Sequence, residues 1–518
     1  MEIYSIQFLL LLVAALLIYY TIGKKHQWIC LLVVSALFYL WTGGGNLCFI
    51  LVTGITTWAG ARWLDRLAGE YAVIKKNKEI DPAEKKGIKA KYAKKRRIIM
   101  FAVVILNFGI LAYLKYWNDI FGTRDALGLV LPLGISFYTF QSMGYLLDVY
   151  NEKYSCETNP AKFMLFVSFF PQMIQGPINR YDQMRDQFFT EHSIDFEKAE
   201  RAVYRIFYGL FKKYAIANIL APVIAAILDN EAGRNIPGSV IVIGILLYSI
   251  QQYADFSGGI DMVMGIAQLF GIEMMPNFRQ PYFSTSLAEF WRRWHISLGK
   301  WMRDYVFYPF ALTKPIKNLG KWANNKLGKH MGRVLPAMLG NILVFFIVGI
   351  WHGAQMHYVV WGLYNGIVIA LSDLLAPVYS RLNEALHINT QSKAFYVFQV
   401  IRTFIVVNIG WYFDRIEDMG LCMESLVRTV TDFQIARMIP VCIAISNDFS
   451  RISIALALLA TVFVFFVSVL EERKIDVYEY LHKKPLVLRW GIYYMVIVLI
   501  LLSFFSVPDA AGFMYANF

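Results

Sequence analysis

His352 sits in GIWHGAQMHYVVWG, residues 349–362, where it follows Trp351 and closes the apolar run NILVFFIVGI. An imidazole titrates near neutrality, so it can take a proton from a nucleophile and return it to a leaving group. Gly349 and Gly353 would let helices or a substrate approach it closely. Position alone is equally consistent with a buried histidine bonded to a backbone carbonyl. His357, five residues on, marks the opposite membrane face and takes no role. His295, in WRRWHISL, is the second candidate; it either contacts headgroups at an interface or faces inward toward His352. In YADFSGGIDMVMG, residues 253–265, Asp255, Ser257 and Asp261 interrupt apolar sequence. They could bind backbone amides or a cation, or pair with Arg292 or Arg293, and a structural network is favoured over catalysis. In FFPQMIQGPINRY, residues 169–181, Pro171 and Pro177 break regular helix while Gln172, Gln175 and Asn179 add hydrogen-bonding groups. Irregular backbone at membrane depth suits a pocket wall, although a helix-end turn explains it as well. Each ionisable group at that depth costs about 2.5–3.5 kcal/mol unless it is partnered or hydrated.

These residues need a membrane around them. Only 17% of the 518 residues are charged and 57% are hydrophobic, against roughly 25% charged in a soluble protein. Aromatic residues reach 16%, which suits interfacial belts and a lined cavity. The net charge of +13 comes from loops between apolar runs, so it reads as positive-inside bias and not as a nucleic-acid surface. The five cysteines are scattered without a CxxC or Cys/His cluster, which supports neither a disulfide framework nor a metal site. The first run, Ile6 to Tyr20, lacks a basic n-region and an A-x-A-like exit, so it reads as a retained membrane helix.

Apolar runs near 5–22, 27–42, 46–66, 98–117, 129–149, 161–177, 200–228, 237–254, 258–272, 335–351, 356–376, 395–414, 450–470 and 488–506 predict an all-α polytopic protein. Eleven to thirteen of them would be transmembrane or re-entrant helices. The chain reads as one membrane-embedded domain over 1–518: N-terminal helices to 66, a basic loop at 67–97, a core at 98–376 and a helical extension at 377–518. Lys75 to Arg97 carries eleven basic and three acidic residues, and Arg292 to Arg333 carries ten basic residues with Asp304 as its one acid. Both segments belong on the cytoplasmic side, which puts the N-terminus outside. In AEFWRRWHISLGKWMRDYVFYPF, residues 288–310, Phe290, Trp294, Leu298, Trp301 and Tyr305 recur at helical spacing, with Arg292, Arg293, Lys300 and Arg303 elsewhere on the wheel. That predicts an interfacial amphipathic helix, capped at Ser284, Thr285 or Ser286 with Glu289 completing a capping box.

The same segments resemble the membrane-bound O-acyltransferase family, in the bacterial branch that includes alginate O-acetylation and teichoic-acid D-alanylation subunits. LPLGISFYTFQSMGYLLDVY at 131–150, FFPQMIQGPINRY at 169–181 and YADFSGGIDMVMGIAQLFGIEMMPNFRQPY at 253–282 carry the resemblance. FWRRWHISLGKWMRDYVFYP at 290–309 and GIWHGAQMHYVVWGLYNG at 349–366 complete it in the family's order. Length and the extension beyond residue 390 are more similar to the alginate type. Two departures, Met356 and Asn365-Gly366, bear on donor or acceptor preference.

The resemblance implies tilted helices around a central tunnel, His352 as the histidine essential for acyl transfer, and His295 at the family's other histidine position. Asn277, in PNF, falls at an ENF-like position; it or backbone N–H groups could stabilise an oxyanion. Trp351, Gln175, Asp255 and Ser257 become candidates for substrate or donor binding. Arg292 and Arg293, with Lys300 and Arg303, would attract a polyanionic donor. No cofactor is expected to be bound. The implied acyl donor is acetyl-CoA or an acyl carrier protein thioester. The implied partners are the bilayer, a polysaccharide acceptor and an extracytoplasmic SGNH-type transferase, with no nucleic acid. The competing readings are a transporter or flippase, D-alanyl transfer, and a scaffold for a partner transferase.

Overall fold

The computed structural model describes residues 5–43, 46–121, 131–229 and 236–506, and these contain helices and no strand. Nine described helices are long and apolar enough to cross a membrane, or ten if Met356–Leu374 and Ala376–Ala385, bent by 53°, form one span. The described residues group into two compact units, 5–203 with 263–275 and 204–262 with 276–506.

In the first unit, Gln27–Gly43 packs with Pro160–Ser168, and the helices Leu47–Lys76 and Pro82–Phe121 pack with Ile135–Tyr150. That last helix is buried nearly all round, as a core helix must be if it carries apolar groups on every face. The segment expected to be a basic loop at 67–97 is instead mostly helix, formed by the ends of Leu47–Lys76 and Pro82–Phe121 with a break at 77–81. The run expected at 161–177 is two short helices, Pro160–Ser168 and Phe170–Gln175, with Pro171 in the first turn of the second. There its missing N–H costs nothing. Beyond it, the Asn179 amide donates to Gln172 Oε1 at 2.7 Å and the Met275 N–H donates to Asn179 Oδ1 at 2.9 Å. Gln172 in turn donates to Gln141, which donates to the Phe166 carbonyl. Gln172 and Asn179 of this polar motif therefore join Gln141 in a chain of paired amides that holds irregular backbone in place.

The second unit is built around two long helical runs. Phe196–Lys212 continues through a π-helical turn, Lys213–Asn218, into Ile219–Leu228. The other run, Gly238–Leu269, is one helix of 32 residues, where two spans, 237–254 and 258–272, are expected from sequence. The polar residues that suggested a break are neutralised by the partner helix, so no break is needed. Two thirds of this helix's apolar window is buried, against 11% for Leu486–Phe504, so the first is interior and the second faces lipid. Both π turns, Lys213–Asn218 and Arg303–Phe307, lie just upstream of a proline, Pro222 and Pro309. Widening the helix there relieves the clash between a proline ring and the carbonyl four residues before it.

Lys329–His352 packs against Met356–Leu374 through Gly349 on the first helix and Gly362 and Gly366, spaced by four, on the second. A Cβ on Gly349 would lie 2.5 Å from the Tyr358 carbonyl oxygen, and one on Gly362 would lie 2.3 Å from the Phe345 carbonyl oxygen. Small residues are what allow membrane helices to touch at this range. Gly362→Leu is therefore expected to destabilise the folded protein by about 1–3 kcal/mol, seen as a lower thermal midpoint in detergent. An unchanged midpoint would show that the contact is not needed.

Candidate active site

The helix expected over 288–310 is broken. Leu287–Arg293 ends at Trp294, and Ile296–Met302 starts after His295, which has φ +47°. The capping box forms in altered form: Ser286 Oγ accepts from the Glu289 N–H, while the Glu289 carboxylate accepts from Thr285 rather than from Ser286. The break comes from a neighbouring strand-like segment. The Ile296 N–H donates to the Asn277 carbonyl and the Arg279 N–H to the Arg293 carbonyl, each at 3.0 Å. A left-handed non-glycine residue costs about 1–3 kcal/mol and persists where its surroundings over-determine it.

At this turn Asn277, 1% exposed, turns its Oδ1 toward three groups. The Ser297 N–H donates to it at 3.1 Å, the Ser297 hydroxyl at 2.9 Å, and His295 Nδ1 lies 3.2 Å away. The His295 ring meets Phe256 edge-on with centroids 4.9 Å apart and lies 6.1 Å from the Trp351 ring. Trp351 in turn lies 4.9 Å from His352. The two histidines, 57 positions apart in sequence, thus flank one indole. His352 is buried at the end of its helix, with Trp361 at 4.9 Å and Tyr358 at 5.7 Å. Gly353 makes room for that tyrosine, since a Cβ there would lie 2.7 Å from the Tyr358 ring.

A cavity of about 210 Å³ opens beside Asn277. Its wall includes Arg205, Lys212, Ser257, Asp261 and Glu471, with the rings of Tyr208 and Tyr253. Lys212 Nζ donates to Ser257 Oγ at 2.9 Å and to Asp261 at 2.5 Å, and Arg205 Nε donates to Asp261 at 3.0 Å. Gln280 closes the edge by donating to Glu471 at 2.6 Å. Two basic side chains, Arg205 and Lys212, meet two acidic ones, Asp261 and Glu471, so the wall is strongly polar.

Of the residues expected from sequence, the structure brings together His352, His295, Trp351 and Asn277, and places Ser257 with Asn277 on the cavity. Asp255 is paired with Lys213 and Asp261 with Lys212 and Arg205, rather than either with Arg292 or Arg293. Arg293 is held by Glu289 at 2.6 Å and Glu472 at 2.7 Å, so its charge is already used, whereas Arg292 is exposed. Gln175 lies in the first unit, fully buried at the end of Phe170–Gln175. His357, expected at a membrane face, is buried and bonded to the Phe413 carbonyl at 2.8 Å. Sequence reading missed Arg205, Lys212 and Lys213. The signal was present: two adjacent lysines in the otherwise apolar run FKKYAIANIL, residues 211–220. Among the described residues no group of His, Cys, Asp and Glu could hold a metal ion.

His295 lies outside the nine candidate spans. Its burial pushes the imidazole down from 6.5 to about 3, because charging a desolvated ring is unfavourable. Between these values an unfolded chain binds a proton that the folded one does not, so stability falls as pH falls below 6.5. Thermal midpoints of the wild type should therefore drop more steeply from pH 7 to pH 4 than those of His295→Gln. Parallel curves would contradict a buried, neutral His295.

The sequence profile of the membrane-bound O-acyltransferase family matches residues 155–324. A probable alginate O-acetylase of Pseudomonas syringae pv. tomato is 32% identical over 437 residues, which is 81% of this chain and 74% of that protein. A peptidoglycan O-acetyltransferase of Helicobacter pylori is 30% identical over 64% of each chain. A teichoic acid D-alanyltransferase of Bacillus subtilis is 27% identical over 55% of this chain and 68% of that protein.

Proposed function

Starting from the fact that this chain belongs to the membrane-bound O-acyltransferase family, we propose that it takes a short acyl group, most simply acetyl, from a cytoplasmic thioester and passes it across the membrane toward a cell-surface polysaccharide. That it is a multi-pass membrane O-acyltransferase follows from the family itself and replaces the transporter and scaffold readings. The donor, the direction of transfer and the acceptor are our reading.

The single observation that carries it is the succession of neighbours from the cavity to His352. Asn277 walls the cavity, holds His295, and His295 and His352 flank Trp351. In this reading the donor, acetyl-CoA or a carrier-bound thioester, enters at the cavity end of the second unit. The polar wall there suits the amides of a pantetheine arm. The basic stretch Arg292 to Arg333 begins beside that end and favours an anionic donor by long-range attraction. Arg293 serves structure and Arg303 is paired with Asp304 at 3.1 Å, so the exposed Arg292 is the better candidate for that role.

His352 is the proposed general base. It takes the proton of the attacking hydroxyl as that oxygen bonds to the thioester carbonyl. The tetrahedral intermediate then collapses with loss of the thiolate, which takes the proton back from His352 and leaves as thiol. The products are an O-ester and a free thiol. Trp351, Trp361 and Tyr358 surround the imidazole and keep water away, which favours transfer over hydrolysis. The N-terminus is placed outside and the basic segment at 67–97 inside by the same charge argument as before. An extracytoplasmic SGNH-type enzyme would complete transfer to the polymer. Acetyl is preferred over D-alanyl because the O-acetylase relatives align over more of the chain at higher identity.

Purified protein in detergent, given labelled acetyl-CoA and a sugar hydroxyl acceptor, should release CoA and form a labelled ester. His352→Ala, inserted and monodisperse, should lose at least the factor of about 10²–10⁴ that a general base supplies. Wild-type turnover by that variant would overturn the assignment.

A further inference from the structure

Asn277 does more than sit near His295. The orientation of its side-chain amide is settled by a neighbour that can only donate. The Ser297 backbone N–H lies 3.1 Å from Oδ1, and turning the amide over would set an NH₂ group against that N–H. Oxygen therefore occupies this position, and the Ser297 hydroxyl, at 2.9 Å, adds a second donor to it. An amide oxygen cannot donate, so the His295 nitrogen 3.2 Å away must bring the hydrogen. That nitrogen is Nδ1. In a neutral imidazole the proton on one nitrogen leaves the lone pair on the other.

We propose that Asn277 is the positioning residue that locks His295 as its Nδ1–H tautomer, so that Nε2 presents a lone pair and His295 acts only by accepting, toward an O–H or N–H group of substrate. This inference rests on the reading above that His352 carries acyl transfer, and it extends that reading to His295, which shares the Trp351 ring with it. It adds a division of labour between them. His352 both takes and returns a proton, whereas His295 receives a hydrogen bond and does not donate from Nε2.

The backbone holds the two residues side by side. The Ile296 N–H to Asn277 carbonyl bond fixes residue 277 against the His295 turn, and the left-handed φ of +47° at His295 is the strained setting that this pairing maintains. Asn277 was an oxyanion candidate on sequence grounds. That role would fall to its Nδ2, whereas the role proposed here is exerted by Oδ1 through His295.

The test is solid-state ¹⁵N NMR of histidine-labelled full-length protein in lipid nanodiscs. The chain has 8 histidines, and the His295 signals are identified by their loss in His295→Gln. The expected spectrum has a protonated Nδ1 and an unprotonated Nε2. Ser297→Ala keeps the backbone N–H that orients the amide, so it should keep this tautomer. Asn277→Leu should lose it and lower kcat by about 10–100-fold, by analogy with the loss of the partner that orients a metal-bound imidazole, with KM for the thioester little changed. A protonated Nε2 in the wild type overturns the proposal, as does a folded Asn277→Leu with the wild-type tautomer and kcat. If Asn277→Leu does not fold, the wild-type and Ser297→Ala spectra decide. The spectra are taken without substrate, so their outcome is separate from whether His352 catalyses acyl transfer.

Discussion

A side chain of Asn277 that accepts from Ser297 and His295, while its own carbonyl accepts from Ile296, is the contact on which the second unit's chemistry depends. It converts what the residue pattern would make a single amphipathic helix into two short ones. The turn between them carries His295 inward, away from the interface where a continuous helix would leave it. With His295 buried against Phe256 and Trp351, the aromatic residues of the same stretch, Phe290, Trp294 and Trp301, become core. The amphipathic pattern was real, but its apolar face seals protein rather than lipid.

The buried charges follow from the same economy. A lysine or aspartate inside a membrane protein is tolerated when a partner neutralises it. Here the partners come from adjacent helices: Lys213 with Asp255, and Lys212 and Arg205 with Asp261. Consecutive lysines would point about 100° apart on a regular α-helix. The π turn that starts at Lys213 alters that spacing just where both must reach the Gly238–Leu269 helix. Gly209 and Gly258 let the two helices meet backbone to backbone, since a Cβ on Gly209 would lie 2.5 Å from the Gly258 carbonyl oxygen.

Much of this was legible in the residues. Membrane embedding followed from the scarcity of charge, whereas the place of His352 at the end of an apolar run suited a buried structural histidine as well as a catalyst. The meeting of His295 with His352 was not legible, because it depends on a non-local backbone pairing between 277–279 and 293–296. Nor was the partnership of Asp255 and Asp261. Their cations lie more than 40 positions upstream, inside a segment whose hydropathy disguises two lysines. The two runs expected at 237–254 and 258–272 are one helix for a related reason: polar residues that look like a break at 255–261 are silent once paired. Family resemblance set His295 at the family's other histidine position, but only packing shows that both rings neighbour the Trp351 indole.

The central claim is that an acyl group moves from a thioester on one side of the membrane to a hydroxyl on the other by way of His352. The most direct measurement uses proteoliposomes of uniform orientation, with labelled acetyl-CoA confined to the compartment facing the basic ends of the helices and a soluble sugar acceptor in the opposite one. The account predicts labelled ester in the acceptor compartment, free CoA retained in the donor compartment, and neither with His352→Ala. Label appearing only in the donor compartment, or ester formed equally well without His352, would contradict it.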